Sequence, residues 1–503
     1  MANHSPKGTA IRLLSPEALA VRPAWLAPRV MRTEALAGLV VAIALIPEAI
    51  SFSIIAGVDP RVGLFASVTM AITIAFTGGR PAMISAATGA IALVVAPLAK
   101  AHGIEYLVAA VLLGGALQVA LAAAGVARLM RFVPRSVMVG FVNALAILIF
   151  LSQLPYLIDV PGAVYPMVAV GLFIILAMPR LTTAIPGPLV AVVGLAIVAI
   201  VFGINVPTVS DQGELPTSLP SLMLPDVPLT LETLRLVGPV AVAIALVGLL
   251  ESLLTAKLVD DITDTRSNKT RESWGQGVAN IVTGLFGGMG GCAMIGQTMI
   301  NVRSGARTRL STFLAGAFLL ILVVALGDVV GLIPMAALVA VMIVVSYMTF
   351  DWHSLRSLPK MPRSETIVML ITVVGTVVTK NLAIGVIAGV LTACLLFARR
   401  VAHVATMTSE LAEDGLTRTY FVHGALFFAS SNDLVYQFDY ADDPERVIID
   451  LSDAQIWDAS TVASLDAVVF KYERHEKIVD LVGLDRQSSE FRHRLEGLMR
   501  RAS

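Results

Sequence analysis

The chain has 503 residues, 56% apolar and 14% charged, with a mean hydropathy of +0.82. Soluble domains carry about 25% charged residues, so this composition excludes a soluble enzyme over most of the length. Net charge is zero (36 basic, 36 acidic residues), which gives no basic excess for a nucleic-acid partner.

In chain order, residues 1–32 read as a basic N-terminal tail. They lack the short apolar core and small-residue cleavage site of a secretory signal. From 33 to 400, apolar runs of about 20 residues recur, the length that crosses a bilayer's hydrocarbon core. Fourteen candidate spans begin near positions 35, 61, 83, 106, 137, 164, 186, 237, 273, 291, 311, 333, 365 and 382. Those near 83 and 291 are interrupted by small and polar residues, Ser85-Ala-Ala-Thr-Gly89 and Gly287-Gly-Met-Gly-Gly-Cys292. The basic residues gather in alternate connectors, as at Arg128/Arg131/Arg135 and Arg303/Arg307/Arg309. Arg61, Lys100, Arg235 and Lys380 fall in the others, so the positive-inside rule predicts cytoplasmic termini and an even span count.

From 401 to 503 the composition becomes that of a water-soluble α/β unit. Arg446–Leu451 and Lys477–Val482 read as buried strands, and Thr417–His423 alternates like an entry strand. Helices are predicted over Ala459–Glu476 (Val462, Leu465, Val468, Val469 on one face) and Ser488–Arg500. The expected domains are therefore a tail at 1–32, a transmembrane domain at 33–400 and a cytoplasmic domain at 401–503. The protein is expected in the inner membrane, multi-pass, with both termini and this last domain cytoplasmic.

An internal repeat is visible. Ala82–Thr88 parallels Ala293–Met299, and Phe132-Val-Pro134 parallels Leu332-Ile-Pro334 about 200 residues on. Seven spans per half make the two repeats inverted, and paired interrupted segments in matching places point to a transporter's central site. Irregular backbone inside a bilayer is tolerated where it lines a cavity or is buried in protein. A half-helix starting there directs free N–H groups, worth about half a positive charge, at whatever binds. Two such N-termini attract an anion without a Lys or Arg. Ser85, Ala86, Ala87 and Thr88 from one side and Gly296, Gln297 and Thr298 from the other are the expected substrate-binding residues. Close helix packing by small residues is the plainer alternative.

Glu48 in the first span and Glu251 in the eighth stand out as acids placed well within apolar segments, without a basic companion. A charge at the bilayer centre costs about 2.5–3.5 kcal/mol on insertion scales, so each acid is a functional candidate by default. Both are suited to carrying a proton, and Na⁺ is the alternative coupling ion. Cys292 and Cys394 form no CxxC pattern, no metal site is expected, and a GxxxxGK[ST] phosphate loop for ATP is absent. No nucleophile–base set suggests an enzyme.

Several segments resemble the sulfate permease (SulP) anion transporters: Pro47-Glu-Ala-Ile-Ser-Phe-Ser-Ile-Ile-Ala-Gly57, Phe132–Phe141 with Gln153-Leu154, Gly275–Asn280, Asn301–Arg307 and Ile333–Leu338. Gly424–Ser431, Val447-Ile-Ile-Asp450 and Asp458-Ala-Ser-Thr-Val462 resemble the STAS domain that ends this family. The resemblance implies a seven-plus-seven inverted repeat with core and gate subdomains, a short strand before each of the third and tenth helices, a homodimer, and anion movement by alternating access. Ser460 lies near a serine phosphorylated in related anti-sigma antagonists, although a plain helix cap is the simpler expectation. Many relatives carry an Arg in the tenth span where this chain has Gln297. The missing fixed charge argues against sulfate and for an anion accompanied by a proton. A nucleobase–proton symporter and an uncoupled anion channel or exchanger are the alternative functions. The nucleobase class usually lacks a STAS tail and carries an acid near Gln297, and a passive pore has little use for two membrane carboxylates.

Overall fold

The computed structural model describes residues 27–125, 128, 133–181, 186–216, 218–402 and 405–499. Most of the N-terminal tail, Arg131, Phe132 and Arg500 lie outside them. The chain divides into two compact units, one comprising residues up to 361 plus 369–388, the other 362–368 plus the chain from 389 onward.

The first unit is helical. In order come α1 (Pro28–Ala56), α2 (Pro60–Thr77), β1 (Ser85–Ala86), α3 (Gly89–Ala123), α4 (Arg135–Gln153), α5 (Val164–Leu181) and α6 (Gly187–Val201). The second half follows with α7 (Leu231–Thr263), α8 (Lys269–Leu285), β2 (Cys292–Ala293), α9 (Ile295–Arg303), α10 (Arg309–Ala325), α11 (Gly327–Gly331), α12 (Met335–Thr349) and α13 (Trp352–Ser357). Last are α14 (Arg363–Thr379) and α15 (Leu382–Ala402), whose residues are divided between the two units. Among the described residues, eight helices are long and apolar enough to cross a membrane, and α6 and α10 are shorter apolar helices. The spans expected near 83 and 106 join in α3, which breaks at Gly103, a glycine at φ +82°.

The punctuation follows local chemistry. Proline opens α1 and α2, where its missing N–H has no helical partner to lose, and Gly57 closes α1 in the left-handed conformation. Asn268 caps α8 by accepting from Arg271 N at 2.9 Å. Pro134 and Pro334 stand at the N-caps of α4 and α12, so the repeat read at 134 and 334 is a matched structural position.

Two groups of helices pack within this unit. α1, α2, α3, α7, α8, α9 and α10 surround β1 and β2, while α12 packs on α4, α5 and α6. These correspond to the expected core and gate. Where α3 crosses α8, a Cβ on Gly115 would lie 2.7 Å from Gly277 O, and one on Gly277 the same distance from Gly115 O. Such contact between backbones holds apolar helices together in lipid, where burial from water supplies nothing.

The second unit holds a four-stranded sheet in the order β3 (Thr406–Leu411), β4 (Thr417–Leu426), β5 (Arg446–Ile456), β6 (Ile478–Val482). β3 runs antiparallel to β4, and the remaining pairs are parallel. Helices α16 (Phe428–Leu434), α17 (Ala459–Arg474) and α18 (Arg486–Met499) complete it. This is the expected STAS-type α/β arrangement, with three corrections. The entry strand is β3, whose exposed polar sequence carries no burial pattern; the Thr417 strand is internal. Lys477–Val482 forms a half-exposed edge strand instead of a buried one. α17 is capped by Asp458, which accepts from Thr461 N at 3.0 Å, while Ser460 is exposed and caps nothing. The core of this unit is pinned by buried Asp443, which accepts from Tyr420 Oη at 2.8 Å and from Tyr472 Oη, and pairs with Arg418 at 2.9 Å. Burial pushes the neighbouring Tyr440 phenol up to about 12.

Candidate anion site between two helix starts

The two interrupted segments meet. β1 and β2 pair antiparallel, Ser85 opposite Ala293 and Ala86 opposite Cys292, and each strand runs directly into a helix. The pairing places the N-termini of α3 and α9 side by side. Met294 N adds a bond to Ile84 O at 2.9 Å. The approach is so close that a Cβ on Gly291 would lie 2.0 Å from Ala86 O, so only glycine fits.

The corresponding residues differ from those the sequence repeat suggests. β1 begins at 85 and β2 at 292, an offset of 207; the helices begin at 89 and 295, an offset of 206. The match of Ala82 with Ala293 has an offset of 211, about one helical turn out of register. Ser85 and Ala86 are therefore strand residues, whereas Gly296, Gln297 and Thr298 lie in the first turn of α9.

Ser85 and Ala86 are buried, and Ser85 Oγ accepts from Gln276 Nε2 at 2.6 Å. Ala87 N donates to Ser67 Oγ at 3.2 Å. Thr88 caps α3, accepting from Ile91 N at 3.4 Å, and its hydroxyl lies 3.0 Å from Cys292 Sγ. Thr298 Oγ1 accepts from Ile84 N at 3.0 Å, fastening α9 to the first strand.

The start of α9 is different. Its cap residue, Met294, supplies no side-chain acceptor to the free N–H groups. Gly296 is exposed although the strands around it are buried, and a Cβ there would meet nothing within 4 Å. Gln297 is 2% exposed, and its amide lies against the Glu48 carboxyl on α1 as a hydrogen-bonding neighbour. Glu48 itself is half-buried. Gly296 thus stands beside open space at an uncapped helix start, and Gln297 and Glu48 lie close to that start.

Glu251 on α7 is the mirror case, and it is closed. Its Oε2 accepts from Cys292 Sγ at 2.9 Å, and Cys292 continues to Thr88. Ala293 N donates to Ser252 Oγ one residue along.

Sequence reading missed the scaffold beneath the site. Glu48 and Glu251 are not the only acids inside: Glu34 and Glu272 are more completely buried than either, near helix ends where they read as ordinary connector charges. Glu272 accepts from Gly79 N at 2.7 Å, Arg80 N at 3.0 Å and Gln276 Nε2 at 2.8 Å, and so positions the amide that holds Ser85. Glu34 accepts from Arg307 N at 2.7 Å, Thr308 N at 3.0 Å and Ser311 N at 3.2 Å, which caps α10. Asn280 clasps Gly291, donating to its O at 3.1 Å and accepting from its N at 2.8 Å. Arg80 pairs with Asp260 at 3.0 Å. No signal beyond residue type marked these partners. Among the described residues, no cluster of three or more His, Cys, Asp or Glu could hold a metal.

The sequence matches the model of the sulfate permease family over residues 31–169 and 161–372. The "Putative sulfate transporter YbaR" of Bacillus subtilis is 54% identical, over 91% of this chain and 95% of that protein. The bicarbonate transporter BicA of Picosynechococcus is 25% identical, over 93% and 91% respectively. The structure of a cyanobacterial BicA transmembrane domain superposes with a TM-score of 0.64 at 25% identity, covering 72% of this chain and 98% of that one. Murine Slc26a9 in its inward-facing state shares the fold at a TM-score of 0.80 and 16% identity, covering 97% of this chain and 92% of that one. With its helical membrane unit and STAS-type tail, the chain belongs to the sulfate permease family and is a multi-pass membrane anion transporter, not an enzyme.

Proposed function

We propose that the protein is a secondary active transporter that carries a small anion together with a proton by alternating access. The observation that supports this best is the uncapped start of α9. There the exposed Gly296 leaves open space, and the buried Gln297 amide lies against the Glu48 carboxyl. A helix N-terminus and an amide donor suit an anion, and a carboxyl beside them suits one that arrives with a proton. Glu48 is the carrier in this reading, and Glu251 the second proton-coupling acid. Ala87 and Thr88 complete the site from α3, while Ser85, Ala86 and Thr298 hold the crossing that supports it.

Fourteen spans, cytoplasmic termini, an inner-membrane location and a homodimer complete the proposal, with the domain limits at 32 and 400. The substrate is a singly charged or protonatable anion, because Gln297 supplies no fixed positive charge. Radiolabelled uptake into proteoliposomes, with bicarbonate, chloride, sulfate, fumarate and uracil in turn, tests it. Uptake of one anion driven by an inward proton gradient is the expected result. Uptake of uracil alone would replace the reading by nucleobase symport, and gradient-independent flux of several anions by a channel. Gln297→Arg is expected to shift preference toward more highly charged anions; an unchanged profile would place the substrate elsewhere.

A further inference from the structure

Two cavities open side by side on the face assigned above to the outside, one against the end of α1, the start of α2 and the break in α3, the other against the start of α2, the Glu214 loop and α11. One, of about 510 Å³, is lined by Gly57, Asp59, Arg61, Lys100, Tyr156 and Gln212 among others. The other, of about 570 Å³, includes Arg61, Glu214 and Asp328. Arg61 is common to both.

Arg61 is held by Asp59 in its own turn, Nη2 to Oδ2 at 3.6 Å, and by the loop that carries Glu214. Its Nη1 lies 2.5 Å from Glu214 Oε2, and its N donates to Glu214 O at 3.2 Å. Glu214 N in turn donates to Asp59 Oδ1 at 3.3 Å. Gly213 lies flat on the same carboxylate: a Cβ there would stand 2.2 Å from Asp59 Oδ1, and its φ of +136° suits glycine alone. A few residues earlier the loop is fixed to α12, where Val209 N donates to Ile333 O at 2.9 Å and Met335 N to Pro207 O at 2.8 Å. The loop therefore joins a gate helix to the turn between two core helices, the two parts that alternating access moves apart.

The charges complete the argument. Asp59 and Glu214 balance Arg61 and Lys100 as the structure stands. Lys100 makes no ion pair among the described residues, and its aliphatic stem packs on Gly57, where a Cβ would meet Cε at 2.6 Å. When the loop leaves with the gate, Arg61 loses Glu214 while Lys100 stays, and the turn is left with one uncompensated positive charge.

We propose that Arg61 and Lys100 form a reception site for a small anion ahead of the central site, and that the Glu214 carboxylate occupies its Arg61 half as a tethered stand-in until the anion displaces it. The inference rests on the transport reading and on its membrane orientation. Exposed ion pairs are weak and screened by salt, so a dissolved anion competes with the tethered carboxylate.

The test uses full-length protein in proteoliposomes carrying Gln212→Cys, with Cys394→Ala to remove the exposed native thiol and Cys292 left buried. The introduced thiol is labelled from outside with an anionic (sulfonatoethyl) or a cationic (trimethylammonioethyl) methanethiosulfonate. Adding Glu214→Gln should raise the anionic reagent's rate about fivefold, the effect of one charge a few ångströms away in water, and lower the cationic reagent's similarly, so that their ratio rises about 25-fold; Lys100→Gln should lower the ratio by a like factor. Sulfate in the bath should slow the anionic reagent most in the Glu214→Gln protein. A ratio that neither substitution moves overturns the site. Labelling needs no transport, so the two readings fail separately. The expected ratios with no anion uptake support the site and overturn transport, whereas uptake with unmoved ratios overturns the site alone.

Discussion

The two halves of the membrane unit place an acid opposite a helix start, and they treat it in opposite ways. In one, Thr88 caps α3 and Cys292 bridges it to Glu251, so that the acid's partner comes from within the fold. In the other, Met294 leaves α9 uncapped, Gly296 adds no side chain, and the Gln297 amide is set against Glu48 alone. Inverted repeats supply two equivalent places for a ligand. Three side chains close one of them, and the proposed binding place is the other.

The sharpest contrast is between two glycines of this crossing. Gly291→Ala is expected to prevent assembly, because its Cβ meets a backbone oxygen that cannot move aside. A loss of about 3 kcal/mol or more should appear as aggregated protein on size-exclusion chromatography. Gly296→Ala should fold normally, since its Cβ meets open space, and should weaken anion uptake by raising KM. Normal assembly of Gly291→Ala, or an unchanged KM for Gly296→Ala, would break the distinction between scaffold and site.

Removing the thiol tests the closed half. Cys292→Ala strands the Glu251 carboxyl without its donor and should destabilise the protein by about 1–3 kcal/mol, whereas Cys292→Ser should restore most of it. Thermal unfolding followed by fluorescence reads both. Equal losses would mean that the bond to Glu251 contributes nothing.

The smallest effect is expected at Ala82, which leads into β1 with φ +61°. It is held there by its N donating to Thr308 O at 3.1 Å and its O accepting from Asn301 Nδ2 at 2.9 Å. A left-handed alanine costs about 1–2 kcal/mol, so Ala82→Gly should leave stability unchanged or raise it by up to about 1 kcal/mol. A clear loss would show that the methyl group, buried among Ala37, Val259 and Val302, contributes more than the strain removes.

Much of this architecture could be read from the residues, because the bilayer imposes strong signals. Apolar runs, the prolines at 134 and 334, and the Gly-rich breaks before β1 and β2 each reflect a backbone demand that few residues meet. Glu48 and Glu251 stood out because a charge within an apolar run is costly, and Gln297 because it follows a Gly-rich break where many relatives carry an Arg. The residues beneath them did not. Glu272, Gln276 and Asn280 act through pairings between distant elements, and Glu34 and Glu272 sit where a charge is ordinary. Register was misplaced by a turn because small residues match one another at several offsets. In the tail, β3 escaped notice because an exposed strand has no apolar alternation, and Asp458 took the capping role expected of Ser460 because its carboxylate stands one residue before the helix.

The central claim is that the α9 half of the crossing binds and the α3 half supports. Anion-driven internal acidification, followed with a trapped pH dye in sodium-free proteoliposomes, compares them directly in wild type, Glu48→Gln and Glu251→Gln. The account predicts acidification by one anion in wild type, its loss in Glu48→Gln, and a reduced but measurable signal in Glu251→Gln. Acidification that survives in Glu48→Gln and vanishes in Glu251→Gln would contradict it, and would move the working site to the half that the structure shows closed.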